Sequence, residues 1–154
     1  MRKPFKRTSG KRGPVRAKKV SYDGIDFASG LEKRMYLALK EVNLFDKYEG
    51  EVFQLIESFN LPNVSIEKTA SGKGEYKNRG SKKVLGIKYT PDFTGIDYII
   101  ETKGRANESF PLRYKLFKRW LVENNDTRTL YKPQNQKDIE ETIKLMLEER
   151  DGQN

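Results

Sequence analysis

Apolar positions in this chain switch between two periods. Leu31, Met35, Ala38, Leu39 and Val42 recur at helical spacing and predict a first helix with one face to bury. Its start is marked by Ser29-Gly30-Leu31-Glu32, the S-x-x-E pattern of a capping box. Glu32 and Tyr36 fall at the edge of that stripe, and Tyr22–Phe27 predicts a short strand or turn leading into the helix. Val52–Leu61, apolar and aromatic up to Leu61-Pro62-Asn63, predicts a strand. Lys88–Thr94 and Tyr98–Lys103 predict two more, joined by a turn near Ile96-Asp97. Pro111 opens a second helix running to about Asn124 with Leu112, Leu116, Phe117, Trp120 and Leu121. Thr127–Tyr131 predicts a short strand, and Asp138–Glu149 a last helix with Ile139, Ile143, Met146 and Leu147 inward. This order of elements describes an α/β (α+β) domain, a mixed sheet covered by helices.

The pattern is weakest at the start and between the first and second strands. Residues 1–21, with Pro4, Gly10, Gly13 and Pro14, lack the apolar content for a core and read as an arm that is mobile on its own. Residues 65–88 form a polar, basic stretch punctuated by Gly72, Gly74, Gly80 and Gly86, read as a hairpin or loop inserted before the next strands. It is either a solvated loop or a contact to a nucleic-acid backbone. The domain proper spans 22–150, with a short tail over 151–154.

Charge sharpens the view of the arm. Residues 1–19 hold nine of the 31 basic residues and no acid, leaving 22 basic against 22 acidic residues elsewhere. The net charge of +9 therefore sits on the arm. Lys3, Lys6, Arg7, Lys11, Arg12, Arg16, Lys18 and Lys19 make it a candidate nucleic-acid contact, with a solubilising tail as the plainer alternative. Arg105, after the last predicted central strand, is a further candidate. No apolar run is long enough to cross a bilayer.

The chain has no Cys and no His. That excludes zinc ribbons, thiol nucleophiles, serine–histidine triads and hydrolases with a histidine base. Any hydrolysis must run on carboxylates, lysine and a metal-bound water. Such groups converge in one place. If the chain turns near Ile96-Asp97, the pairs run 94–99, 93–100 and 92–101, which sets Asp92 opposite Glu101. Directly opposed residues have Cβ atoms about 5 Å apart, and like charges there are destabilising. A divalent ion such as Mg²⁺ neutralises them, and hard oxygen ligands suit it. Lys103 shares a strand face with Glu101 and Ile99. The plainer alternative is a surface hairpin with Lys103 in a cross-strand salt bridge. For Glu32 it is the capping box alone, which contributes on the order of 1 kcal/mol.

Pro91-Asp92, eight intervening residues, then Glu101-Thr102-Lys103 resembles the signature of the PD-(D/E)XK nuclease superfamily. With Ser29-Gly30-Leu31-Glu32 and Tyr89-Thr90-Pro91-Asp92-Phe93, it is similar to the phage endonuclease I group, the T7-type Holliday junction resolvases, and to related small phage nucleases, across roughly residues 22–120. The resemblance implies a restriction-endonuclease-like fold and a metal-dependent DNA endonuclease acting on branched DNA in the cytoplasm of a bacterial host, at its nucleoid. It implies that Asp92, Glu101, the Thr102 backbone carbonyl and Glu32 hold Mg²⁺, with Mn²⁺ able to substitute, and that Lys103 orients the attacking water or steadies charge on the phosphate. It implies one further acid after the first helix, for which Glu49 and Glu51 are both candidates. Resolvases of this type are intertwined homodimers that offer the helix carboxylate across the dimer. A restriction- or repair-type nuclease for linear duplex, and a non-catalytic nucleic-acid-binding module, are the competing expectations.

Overall fold

The computed structural model describes residues 18–107 and 109–152. Strands β1 (Val20–Tyr22) and β2 (Ile25–Phe27) form a hairpin whose turn residues, Asp23 and Gly24, both have positive φ (54° and 75°). Such a turn matches the right-handed twist of paired strands. Strand β1 thus includes Val20 and Ser21, inside the stretch assigned to the arm. Helix α1 (Gly30–Glu41) follows, capped by Ser29 as expected, while the reciprocal bond of Glu32 goes to Ala28, one residue before the cap. Ser29 Oγ accepts from the Glu32 N–H at 3.2 Å and donates to Glu32 Oε1 at 2.8 Å. Glu32 Oε2 accepts from the Ala28 N–H at 2.8 Å. Glu32 and Tyr36, expected at the edge of the stripe, are both buried.

After α1 come β3 (Lys47–Tyr48), β4 (Phe53–Ile56), β5 (Phe59–Asn60), β6 (Ile66–Glu67), β7 (Lys77–Asn78), β8 (Lys83–Val84), β9 (Ile87–Tyr89), β10 (Phe93–Thr94) and β11 (Tyr98–Ile100). The chain closes with α2 (Phe110–Glu123), β12 (Thr129–Tyr131) and α3 (Gln136–Asp151), the last running into the stretch read as a tail. Strands β12, β11, β10 and β3 form a mixed four-stranded sheet in that order, with β11 parallel to β12 and the other pairs antiparallel. The chain is an α+β protein.

Alternation along β11 separates two cores. Tyr98 and Ile100 pack on one face with Phe27, Met35, Leu39 and Phe93, under α1 and α3. Ile99 packs on the other with Phe53, Tyr89, Phe110 and Phe117, under α2. The sheet is thus covered by helices on both faces. Two apolar positions expected to be buried, Leu112 and Leu147, are exposed. Their neighbours Phe117 and Met146 already fill the respective cores.

Residues 53–89 form a two-stranded ribbon in three consecutive pairings, β4 with β9, β5 with β8 and β6 with β7. The segment 65–88 is therefore the outer part of a hairpin that starts at β4. The strand predicted over Val52–Leu61 breaks between Ile56 and Phe59. Gly86 passes so close to the opposing strand that a Cβ there would lie 2.4 Å from the Ile56 carbonyl oxygen. The strand predicted over Lys88–Thr94 is also split. Ile87–Tyr89 belongs to the ribbon and Phe93–Thr94 to the central sheet. Between them Pro91 has no N–H to give to a ladder.

Candidate functional site

The pairings 94–99 and 93–100 are those of the β10–β11 hairpin. One step further along, Asp92 and Glu101 leave the strands on the face that Ile99 presents to α2. Past Ile100 the chain stays tied to the segment after β12. Glu101 N–H donates to the Tyr131 carbonyl and Lys103 N–H to the Pro133 carbonyl, each at 3.0 Å. Asp92 is held from both ends. Its carbonyl accepts from the Glu49 N–H at 2.8 Å. Its Oδ2 accepts from the Thr102 N–H at 2.7 Å and the Thr102 hydroxyl at 2.6 Å.

These residues line a cavity of about 230 Å³ with Glu32, Tyr89, Lys103 and Arg113. Glu101 and Glu32 are each 6% exposed. Glu32 enters from the first turn of α1, and besides its capping bonds accepts the Tyr48 hydroxyl at 2.7 Å. Lys103 Nζ stands 3.9 Å from Glu101 Oε1 and 4.8 Å from the centre of the Phe110 ring.

Burial, then the charge of Glu101, pushes the Asp92 carboxyl up to about 8, against the two bonds from Thr102. Glu101 is also raised, by burial above all, with the Tyr89 hydroxyl, then Lys103 and Arg113, pulling it back. The Glu32 charge raises both. The Tyr89 hydroxyl, raised by burial and then by Glu101, lies buried without a hydrogen-bond partner although Glu101 is near enough to act on it. We read this as an approach that does not close into a bond. An opposed carboxylate pair and an orphaned hydroxyl in one cavity accommodate a cation with its waters or a phosphate oxygen.

The cavity gathers five residues predicted from sequence: Glu32, Asp92, Glu101, Thr102 and Lys103. Glu32 reaches the cavity from α1 of the same chain. Neither Glu49 nor Glu51 lines the cavity. Glu49 is exposed, and Glu51 is bound by Arg128 at 2.8 and 3.0 Å, which lowers its pKa. Arg105 is exposed and outside the lining. Lys18 and Lys19 are exposed just before β1, whereas Lys3, Lys6, Arg7, Lys11, Arg12 and Arg16 lie outside the described residues. Among the described residues no group of three or more acidic side chains is arranged to hold a metal ion.

Sequence reasoning missed Tyr89, Tyr48 and Arg113. Tyr89 had one available signal, its place three residues before Asp92. Tyr48 and Arg113 reach the site through tertiary packing and left none.

Fold and cavity together define an α+β protein with a buried acidic pair and a lysine at the open end of a central hairpin. Residues 12–137 match DUF1064, described as a protein of unknown function, and the chain belongs to that family. No curated protein and no solved structure matches it.

Proposed function

We propose that this protein is a metal-dependent DNA endonuclease of the PD-(D/E)XK kind, with branched DNA as its substrate class. The observation that carries the reading is the facing of Asp92 and Glu101 in a buried cavity, with Lys103 3.9 Å from Glu101. Two opposed carboxylates held above their ordinary pKa are a costly arrangement without a cation. Mg²⁺ is commonly held by one or two carboxylates, keeping its other ligands as water and substrate phosphate. The donor set of Asp92, Glu101 and the Thr102 carbonyl fits that habit, and Mn²⁺ fits the same oxygens. When bound, the ion lowers the pKa of a water and stabilises charge on the phosphate. Thr102 fixes Asp92 by engaging Oδ2, and Oδ1 has no hydrogen bond among the described residues. Lys103 places a positive charge beside Glu101, where it steadies a phosphate oxygen or orients a water. Glu32 adds negative charge at the rear, its position fixed by Ser29, Ala28 and Tyr48.

The preference for branched DNA rests on the resemblance of three short segments to junction resolvases. One specific observation favours the competing reading of a non-catalytic DNA-binding module, the lack of a three-acid metal group among the described residues. Nicking of supercoiled plasmid separates the two. The nuclease reading expects nicking by the wild type in Mg²⁺, none in EDTA, and a loss of at least roughly a hundredfold in Glu101→Gln. An inert binder retards the plasmid and leaves it supercoiled throughout.

A further inference from the structure

The nuclease site shares a wall with a second cavity. Phe110 lines the acidic cavity on one side and, on the other, a pocket of about 320 Å³. Phe110, Pro111 and Tyr114 give this pocket an apolar wall, and Lys115, Lys118 and Lys132 stand around it. Phe110 and Tyr114 stack with centroids 5.2 Å apart and planes at 20°. Lys118 Nζ lies 4.8 Å from the Tyr114 ring centre. None of the three lysines makes an ion pair among the described residues.

An aromatic wall alone suits many apolar ligands, and lysines alone suit any anion. A nucleotide needs both, a π-surface for its base and cations for its phosphates. The pocket is at the lower end of the size range for small-molecule sites. It adjoins the proposed cleavage site through a single side chain, Phe110, which lines both cavities and has Lys103 Nζ 4.8 Å from its ring centre. A strand crossing Phe110 presents a phosphate to Lys103 and a base to the pocket.

We infer that this pocket receives an unpaired nucleobase from the strand whose phosphate lies at Asp92 and Glu101, and so selects DNA at the border between duplex and single strand. The inference rests on the nuclease reading and narrows its substrate. A base inside a duplex must be unstacked and unpaired to enter, at a few kcal/mol, whereas a base at a flap or branch point enters at little cost.

The test uses the full chain in EDTA, so that binding is read apart from cleavage. A duplex with a single-stranded flap carries 2-aminopurine at its first unpaired position, and a control carries it at a paired internal position. We expect wild-type protein to change the emission of the unpaired probe and leave the paired one unaltered. Ala106, exposed and at the pocket's lining, offers a way to fill it. Ala106→Leu abolishes the change and weakens flap binding roughly tenfold, with plain-duplex binding kept. Lys118→Gln, at an exposed position, weakens flap binding without filling the pocket.

An emission change that persists in Ala106→Leu, or that is equal for the paired probe, overturns the inference. DNA that is bound and then cut in Mg²⁺ with no emission change removes the pocket and leaves the nuclease standing. Failure to bind any of these DNAs removes both.

Discussion

Thr102 gives both its backbone N–H and its hydroxyl to one oxygen of Asp92, at 2.7 and 2.6 Å. These bonds favour the charged carboxylate, yet Asp92 remains raised because burial and Glu101 outweigh them. The structure holds the side chain in place without relieving its charge. A residue fixed in this way is suited to a ligand that brings positive charge.

A pH-dependent stability defect follows. The folded state holds the Asp92 proton up to about pH 8, while an unfolded aspartate releases it near pH 4. Stability contributed by this group is present below the unfolded value and is lost as pH rises towards the folded one. Asp92→Asn removes the charge, so it should melt at least about 4 °C above wild type near pH 8 and together with it near pH 4. Mg²⁺ should raise the wild-type melting temperature near pH 8 and leave the variant unmoved. Calorimetric melts at the two pH values check both points, and a variant less stable than wild type near pH 8 contradicts the first.

Lys103 is expected to matter to chemistry and little to folding. Its side chain makes one ion pair at 3.9 Å and one contact with the Phe110 ring. Lys103 itself is half-buried and the pair is long, so it contributes on the order of 1 kcal/mol. Lys103→Ala should therefore lower the cleavage rate by about a hundredfold or more while leaving the melting temperature within about 3 °C. Single-turnover cleavage and a thermal melt on one preparation separate the roles, and a large fall in stability would mark Lys103 as structural.

Glu51 is expected to behave in the opposite way. Arg128 binds it at 2.8 and 3.0 Å and also holds Asp126 at 2.7 Å. Glu51→Gln should leave cleavage within about twofold, since the residue lies outside the cavity. Arg128→Ala should destabilise by about 2 kcal/mol, because two carboxylates lose their shared partner. Urea unfolding and cleavage rates measured side by side decide this, and a severe activity loss in Glu51→Gln would restore it as the further acid.

The hairpin that forms the site was legible because a tight turn at Ile96-Asp97 and the run Tyr98-Ile99-Ile100 leave little freedom of register. A one-residue slip would turn Ile99 away from the α2 core. The helix start at Ser29 was legible through its cap. The ribbon over 53–89 was not, because its outer pairings are exposed and polar and show no alternation between buried and solvated faces. Strand β3, only Lys47 and Tyr48, is defined by its pairing with β10 rather than by its own composition. The site was readable to the extent that its groups are adjacent along the hairpin. Glu32 could be suspected from its helix start, but its place in the cavity is a fact of packing. Tyr48, Tyr89 and Arg113 arrive from separate elements and depend on the fold.

The most direct test of the nuclease assignment is cleavage of a labelled four-way junction and a matched linear duplex by wild type and Asp92→Asn, each in Mg²⁺ and in EDTA. The account predicts that the junction is cut by wild type in Mg²⁺, that EDTA or the substitution abolishes cutting, and that the duplex is cut far more slowly. Equal cutting of duplex and junction would contradict the branched-DNA part of the account. Tight binding of both DNAs with no Mg²⁺-dependent cleavage would contradict the catalytic assignment itself.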